Sequence, residues 1–352
     1  MIFYSSKIPN NTLQTIDQDY YWFSGTAYLG IAQHPTFKRN LIESLVQWGS
    51  SWGSSRNNNV RLSIYEEAEQ ALAQFFGAPA ALTVASGMSA GQVTVSYYQS
   101  LEYHVEIAPK THPALWPHHK HLPIDSYEEW ARTISENISK NLAEKIVICS
   151  DSVGSPYVED FDFSWIKTLP TNKEIVVVID ASHSLGIQHI ADFLGFEPDF
   201  NDNIHLIVTG SLNKAMGMTG GVILGKPEII NHLRHTPMFA GASPMMPALL
   251  DAFMLSTGLY YEQKEKLINN IQYFTENLEV NYLDTIKNYP AFCTHREGLH
   301  DFLKNHGVMT SCFPYPTVHD QPVSRLVISA MHNEDELLYL AQLSNQFAKI
   351  SG

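Results

Sequence analysis

Basic residues are few in this chain: 22 Lys and Arg stand against 36 Asp and Glu among 352 residues, a formal charge of −14 at pH 7. Nucleic-acid binders normally carry a basic patch or tail, so that class is excluded. Any anionic ligand must be held by a local pocket, because the global field repels it. Cysteine is scarce as well. Cys149, Cys293 and Cys312 are odd in number, widely separated and form no CxxC pair, which excludes a disulfide framework and makes a reducing cytosol the expected home. No apolar run approaches the ~18 residues needed to span a bilayer, and the opening MIFYSSKIPNNT lacks the apolar centre of a signal peptide. Also missing are a GxGxxG after a strand, a P-loop and a GxSxG elbow.

What is there reads as globular: 44% of residues are hydrophobic, and the 18 prolines are spread along the chain. At roughly 150 residues per domain, the length suggests two domains. Short aliphatic runs recur at Ala80–Val84, Ile146–Cys149, Ile175–Ile179, His205–Thr209 and Val222–Leu224. Apolar strands of this kind, alternating with helical patterns, predict an α/β domain with a mostly parallel sheet covered on both faces. LSIYEEAEQALAQFFG predicts a helix ended by Gly77 and Pro79. A long helical stretch is expected over Pro247–Thr285, followed by a strand at Arg325–Ala330 and a closing helix at Glu334–Ile350. The expected division is an N-terminal arm over 1–45, a large domain over 46–235, and a connecting helix with a small α+β domain over 236–352.

His112, His118, His119 and His121 crowd into THPALWPHHKH, but their spacing matches no HExxH or Cys/His metal site. Pro113 and Pro117 make the segment a loop, so surface histidines plus one functional ring are expected there, without a metal.

Three other segments make chemical sense together. SGMSAGQ (Ser86–Gln92) follows a strand and opens a helix, whose first N–H groups suit a phosphate. DASH (Asp180–His183) puts a carboxylate at the C-terminal end of the most apolar strand, where ligands bind in open α/β sheets. TGSLNKAMGMTGG (Thr209–Gly221) sets Lys214 among small residues where backbone can approach a ligand closely. A phosphate cradle, a strand-end acid and a loop lysine in this order describe a site for pyridoxal 5′-phosphate.

On these residues the chain resembles the fold-type I pyridoxal-phosphate enzymes, and among them the α-oxoamine synthases. AYLGIAQHP (Ala27–Pro35) is similar to that group's N-Y-L-G opening, and WGSSWGSSR (Trp48–Arg56) to its Gly-rich segment. CFPYPTVHDQPVSRLVISAMH (Cys312–His332) is similar to its P-P-T-V-P…R-L-R…A-x-H close. The resemblance implies a large domain with a mostly parallel seven-stranded sheet sandwiched by helices, plus a small C-terminal α+β domain. It implies that Lys214 attaches the cofactor, Asp180 pairs with the pyridine nitrogen, His183 faces the ring oxygen and His112 stacks on the ring. Ser86, Gly87, Met88 and Ser211 would hold the phosphate, with Ser155 near the ring and Ser243 reaching the phosphate of a neighbouring subunit. Arg325 would clamp an amino-acid carboxylate.

The activity implied is condensation of an amino acid with an acyl thioester, coenzyme A- or carrier-bound, giving an α-amino ketone in a cytoplasmic homodimer. The closing segment resembles the 8-amino-7-oxononanoate synthase branch, with a related acyl-transferring branch that makes lipid or signalling amino ketones as the alternative within the group. An aminotransferase or a β-eliminating lyase would share the same cofactor residues, and a non-catalytic binding or regulatory subunit is a further alternative. Ala27 stands where the group has Asn, Pro113 and Ala114 follow His112 in place of Ala-Ser, and Val327 replaces the second Arg of R-L-R. These departures bear on substrate more than on cofactor.

Overall fold

The computed structural model describes residues 3–117, 126–314 and 320–351. His118, His119 and His121, and part of the closing segment after Pro314, lie outside the described residues. The chain divides into two compact units, one of residues 1–34, 155–160 and 258–352, the other of residues 35–154 and 161–257.

The second unit is built on a six-stranded sheet in the order Ala80–Val84, Gly221–Gly225, Ile204–Ser211, Glu174–Asp180, Lys145–Asp151 and His104–Ile107. Among the described residues this is one strand fewer than expected. Gly221–Gly225 runs antiparallel to both neighbours, and the remaining pairs are parallel. The aliphatic runs form these strands because both faces are covered: Ile175, Val176, Val177, Val178 and Ile179 are all fully buried. The helix Ser63–Phe76 buries Ile64, Tyr65, Ala68, Leu72 and Phe76 along one side, and Gly77 ends it in the left-handed conformation at φ 69°. Arg56 ties this helix to the sheet by donating to Glu69 at 2.8 Å and to the Thr83 hydroxyl at 3.1 Å, with its guanidinium over the Tyr65 ring.

The other unit holds a five-stranded sheet in the order Thr12–Gln14, Asp19–Phe23, Val308–Pro314, Pro322–Val327 and Ala291–Thr294. Only the pairing of Asp19–Phe23 with Val308–Pro314 is parallel. The strand expected at Arg325–Ala330 lies instead at Pro322–Val327. Beyond it the backbone changes partners, Ile328 donating to the Pro290 carbonyl and Ala330 to the Tyr28 carbonyl. The long helical stretch is two helices, Pro247–Met254 and Thr257–Glu276. The side-chain amide of Asn40 takes the Leu255 carbonyl and the Ser256 hydroxyl at the break. Among the described residues no helix is long and apolar enough to cross a membrane.

Candidate active site

The sequence of the second unit brings three of its turns to one edge of its sheet. Ser86 is the N-cap of the helix Gly87–Ser100, and its hydroxyl accepts from the Ser89 N–H at 3.1 Å. That hydroxyl also lies 2.9 Å from the Ser89 hydroxyl and keeps an O–H of its own, beside the first-turn N–H groups of Gly87 and Met88 at the helix start. A Cβ on Gly87 would come within 2.7 Å of Ser211, and one on Gly221 within 2.2 Å of the Ser86 carbonyl oxygen. The helix start is therefore pressed against the ends of two strands, and only backbone fits there. Ser211 donates its N–H to the Ser182 hydroxyl at 2.8 Å, and its own hydroxyl accepts from Asn213 N–H at 3.2 Å.

Asp180 is the last residue of its strand and is buried, with one carboxylate oxygen accepting from Ser182 N–H at 2.8 Å. Across the parallel pairings it is in register with Asp151 on one side and Thr209 on the other. Registered neighbours project to the same face, so three polar side chains form a row at the C-terminal edge of the sheet. The Thr209 hydroxyl in that row is buried and has no hydrogen-bond partner among the described residues. His183 follows in the turn after Asp180 and is partly buried.

Lys214 sits partly buried in the turn after Ile204–Ser211, where its carbonyl accepts from Gly217 N–H at 3.1 Å. His112 is held on a loop that the Gly87–Ser100 helix grips from below. The Gln92 amide donates to the Ala114 carbonyl at 2.9 Å and the Trp116 carbonyl at 3.1 Å. A Cβ on Gly91 would collide with the Ala114 oxygen at 2.3 Å. The His112 ring is oriented by its Nδ1, which accepts from Ala114 N–H at 3.2 Å. Burial holds this imidazole below its ordinary value; the Asp180 charge opposes that and the Lys214 charge adds to it. His112, Asp180 and Lys214, 102 positions apart at the extremes, thus share one electrostatic neighbourhood.

Asp151 belongs to the same group, and the sequence reading passed over it. Its carboxyl accepts from the His112 N–H through both oxygens, each at 3.1 Å. Burial and the neighbouring Asp180 raise it well above the ordinary carboxylate range, while the His112 N–H and Lys214 pull the other way. The signal that could have found it is the repeat of a strand-end Asp in KIVICSD and EIVVVID, visible only if the two strands are taken as neighbours.

Ser243 is exposed and lines a cavity of about 230 Å³ together with Met88, Ser89, Arg56 and Phe239 of the same chain. Met88 itself is largely exposed, so its contribution at the helix start is its N–H. Ser155 and Arg325 belong to the other unit. Arg325 is buried on the strand Pro322–Val327, its Nη2 donating to the Tyr28 hydroxyl at 3.0 Å. Its Nε is buried without a partner among the described residues, an orphaned donor on a planar fork. The Tyr28 and Tyr289 oxygens lie near enough to favour its charge against the cost of burial. Among the described residues no three His, Cys, Asp or Glu side chains cluster as a metal site would require.

Over residues 22–343 the sequence matches the aminotransferase class I and II family. The chain belongs to that family. Within it, the chain is 26% identical over 355 residues to an 8-amino-7-oxononanoate synthase of Petrotoga mobilis, covering 92% of this chain and 87% of the relative. It is 26% identical over 262 residues to a serine palmitoyltransferase of Bacteriovorax stolpii, covering 69% and 59%. A serine palmitoyltransferase solved with pyridoxal phosphate attached superposes with a TM-score of 0.82 at 16% identity, over 100% of this chain and 93% of that one. The fold is that of the fold-type I transferases of this family.

The site's own chemistry fits such a cofactor. A backbone cradle too tight for a Cβ suits a phosphate, a buried strand-end carboxylate suits a pyridinium nitrogen, and a primary amine suits an aldehyde.

Proposed function

We propose that this member of the aminotransferase class I and II family is a pyridoxal-phosphate-dependent α-oxoamine synthase of the 8-amino-7-oxononanoate synthase type. The observation that carries the reading is the meeting of Lys214, Asp180, His112 and the bare first-turn N–H groups of Gly87 and Met88 at one sheet edge. The relatives at 26% identity support the acyl-transferring branch over the rest of the family.

When bound, pyridoxal phosphate supplies an electron sink for the negative charge developed at an amino acid's Cα. The protein's part is to hold, orient and move protons. The N–H groups of Gly87 and Met88 and the Ser211 hydroxyl receive the phosphate, which lets backbone dipoles do what the scarce basic residues do not. Asp180, fixed by Ser182 N–H, would be the carboxylate that pairs with the pyridine nitrogen. His112 offers a ring face, and His183 a nitrogen to the ring oxygen. The Lys214 Nζ would hold the cofactor's aldehyde carbon and is the amine placed to take a proton as general base. Arg325 receives the substrate carboxylate through its Nε edge.

The overall reaction consumes an amino acid, an acyl thioester and one proton, and releases an α-amino ketone, carbon dioxide and a free thiol. A homodimer in the cytoplasm is part of the same proposal; the exposed Ile42 and Val46 on the helix Pro35–Trp48 support a partner face. The test is a thiol-release assay of the cofactor-loaded protein with amino acids and acyl thioesters. Thiol released only when both substrates are present supports the reading. Consumption of a 2-oxo acid with no thiol release would assign an aminotransferase instead.

A further inference from the structure

Asp151 is a member of the sheet-edge group to which the chemistry above gives no role. It is in register with Asp180 at the end of the neighbouring parallel strand, so two carboxyls stand side by side at the floor of the site. Its two oxygens both accept the main-chain N–H of His112, at 3.1 Å each. Among the described residues no other acceptor takes the His112 backbone N–H, and the loop beyond it is held from the other side by Gln92 and Gly91 and internally by Trp116 Nε1 donating to the Thr111 carbonyl at 2.7 Å. The residue after His112 is Pro113, which has no N–H to give, so the anchor must be at His112 itself.

We propose that Asp151 is a positioning residue, whose carboxyl fixes the backbone of His112 and thereby holds the imidazole beside Asp180 and Lys214, where it would meet the cofactor ring. The inference rests on the pyridoxal-phosphate reading for its consequence but not for its geometry. What the anchor needs is an acceptor oxygen, not a charge. Burial beside Asp180 raises the Asp151 carboxyl well above its ordinary range, and a protonated carboxyl still accepts through its carbonyl oxygen. Asp180 and Lys214 lie near enough to act on Asp151, and the His112 N–H is its hydrogen-bond donor.

The experiment compares Asp151→Asn with Asp151→Ala. Asn keeps an acceptor oxygen and discards the ionisable proton; Ala discards both. Two quantities are read: hydrogen exchange of the His112 amide in the cofactor-free protein, and the dissociation constant for pyridoxal 5′-phosphate. Asp151→Asn should leave both within about threefold of the parent, whereas Asp151→Ala should speed His112 exchange and weaken cofactor binding, each by about tenfold. Equal damage from Asn and Ala would overturn the proposal in favour of a role for the charge, and unchanged exchange in Ala would overturn the anchor altogether. If the parent protein binds no pyridoxal phosphate, the functional reading fails, while the exchange comparison still decides the anchor. If Ala does not fold, parent-like exchange in Asn supports the acceptor role and accelerated exchange in Asn contradicts it.

Discussion

On the proposed function the two units would hold anions by opposite means. In the unit carrying Lys214, the phosphate would meet mostly main chain, with the Ser211 hydroxyl beside it: a capped helix start pressed so closely on Ser211 and Gly221 that no Cβ fits. In the unit carrying Arg325, the anion would meet one side chain, a buried guanidinium with one nitrogen tied to Tyr28 and another without a partner among the described residues. A backbone site costs nothing in charge and moves little, so it suits a cofactor that stays through every cycle. A guanidinium fork is specific for a planar carboxylate and is worth most when desolvated, so it suits a substrate that must be chosen at each turnover. In a chain of net charge −14 the division has a reason. On the proposed reading backbone groups would serve the phosphate, and Arg325, the one Lys or Arg on the described strands of the small sheet, would be kept for recognition.

That comparison can be broken at several points. The largest effect is expected at Lys214. Lys214→Ala should lower thiol release by about 1,000-fold or more while leaving noncovalent cofactor binding through the backbone cradle measurable by titration. Loss of all binding would mean that the cradle holds nothing by itself. A smaller, different effect is expected at Arg325: Arg325→Lys keeps the charge and removes the fork. KM for the amino acid should rise about 10- to 100-fold with cofactor affinity unchanged. A matching loss of cofactor affinity would show that the two anion sites are not separable.

The smallest effect is structural and belongs to the small unit. His332 is buried, stacked on Phe23 at 4.1 Å between ring centroids, with Nδ1 accepting from Ser329 N–H and Nε2 facing the Trp22 carbonyl at 2.9 Å. Burial lowers its pKa from 6.5 to about 4. Between those values the unfolded chain binds a proton that the folded chain refuses, so stability falls as pH drops through this window, by about 3 kcal/mol in all. Denaturant unfolding of the parent and of His332→Gln from pH 7 to 4 checks this. The parent should lose this increment and the variant should lack it; parallel curves would contradict the account.

Part of this was legible from residues alone. Ala80–Val84 was read to the residue, and the cores of four further strands were found, because strands covered on both faces are continuous apolar runs. The small sheet was mostly missed for the same reason inverted. Thr12–Gln14 is three residues long, and Asp19–Phe23, though its DYYWF is rich in strand-forming aromatics, is five residues with exposed positions between buried ones and no continuous aliphatic run. The order of Ser86, Asp180 and Lys214 was readable because each sits just after a strand. Asp151 was not, because its partner is a backbone N–H and its significance comes from register with Asp180. Tyr28 meets Arg325 across 297 positions, a contact that no local pattern reports.

The account stands on the assignment of Lys214 as the cofactor's attachment point at the sheet edge beside Asp180 and His112. Borohydride reduction of the pyridoxal-phosphate-loaded protein, followed by peptide mass mapping, tests it directly. The account predicts a single reduced adduct on the peptide carrying Lys214. An adduct on another lysine, such as Lys173 or Lys226, with Lys214 unmodified, would contradict it.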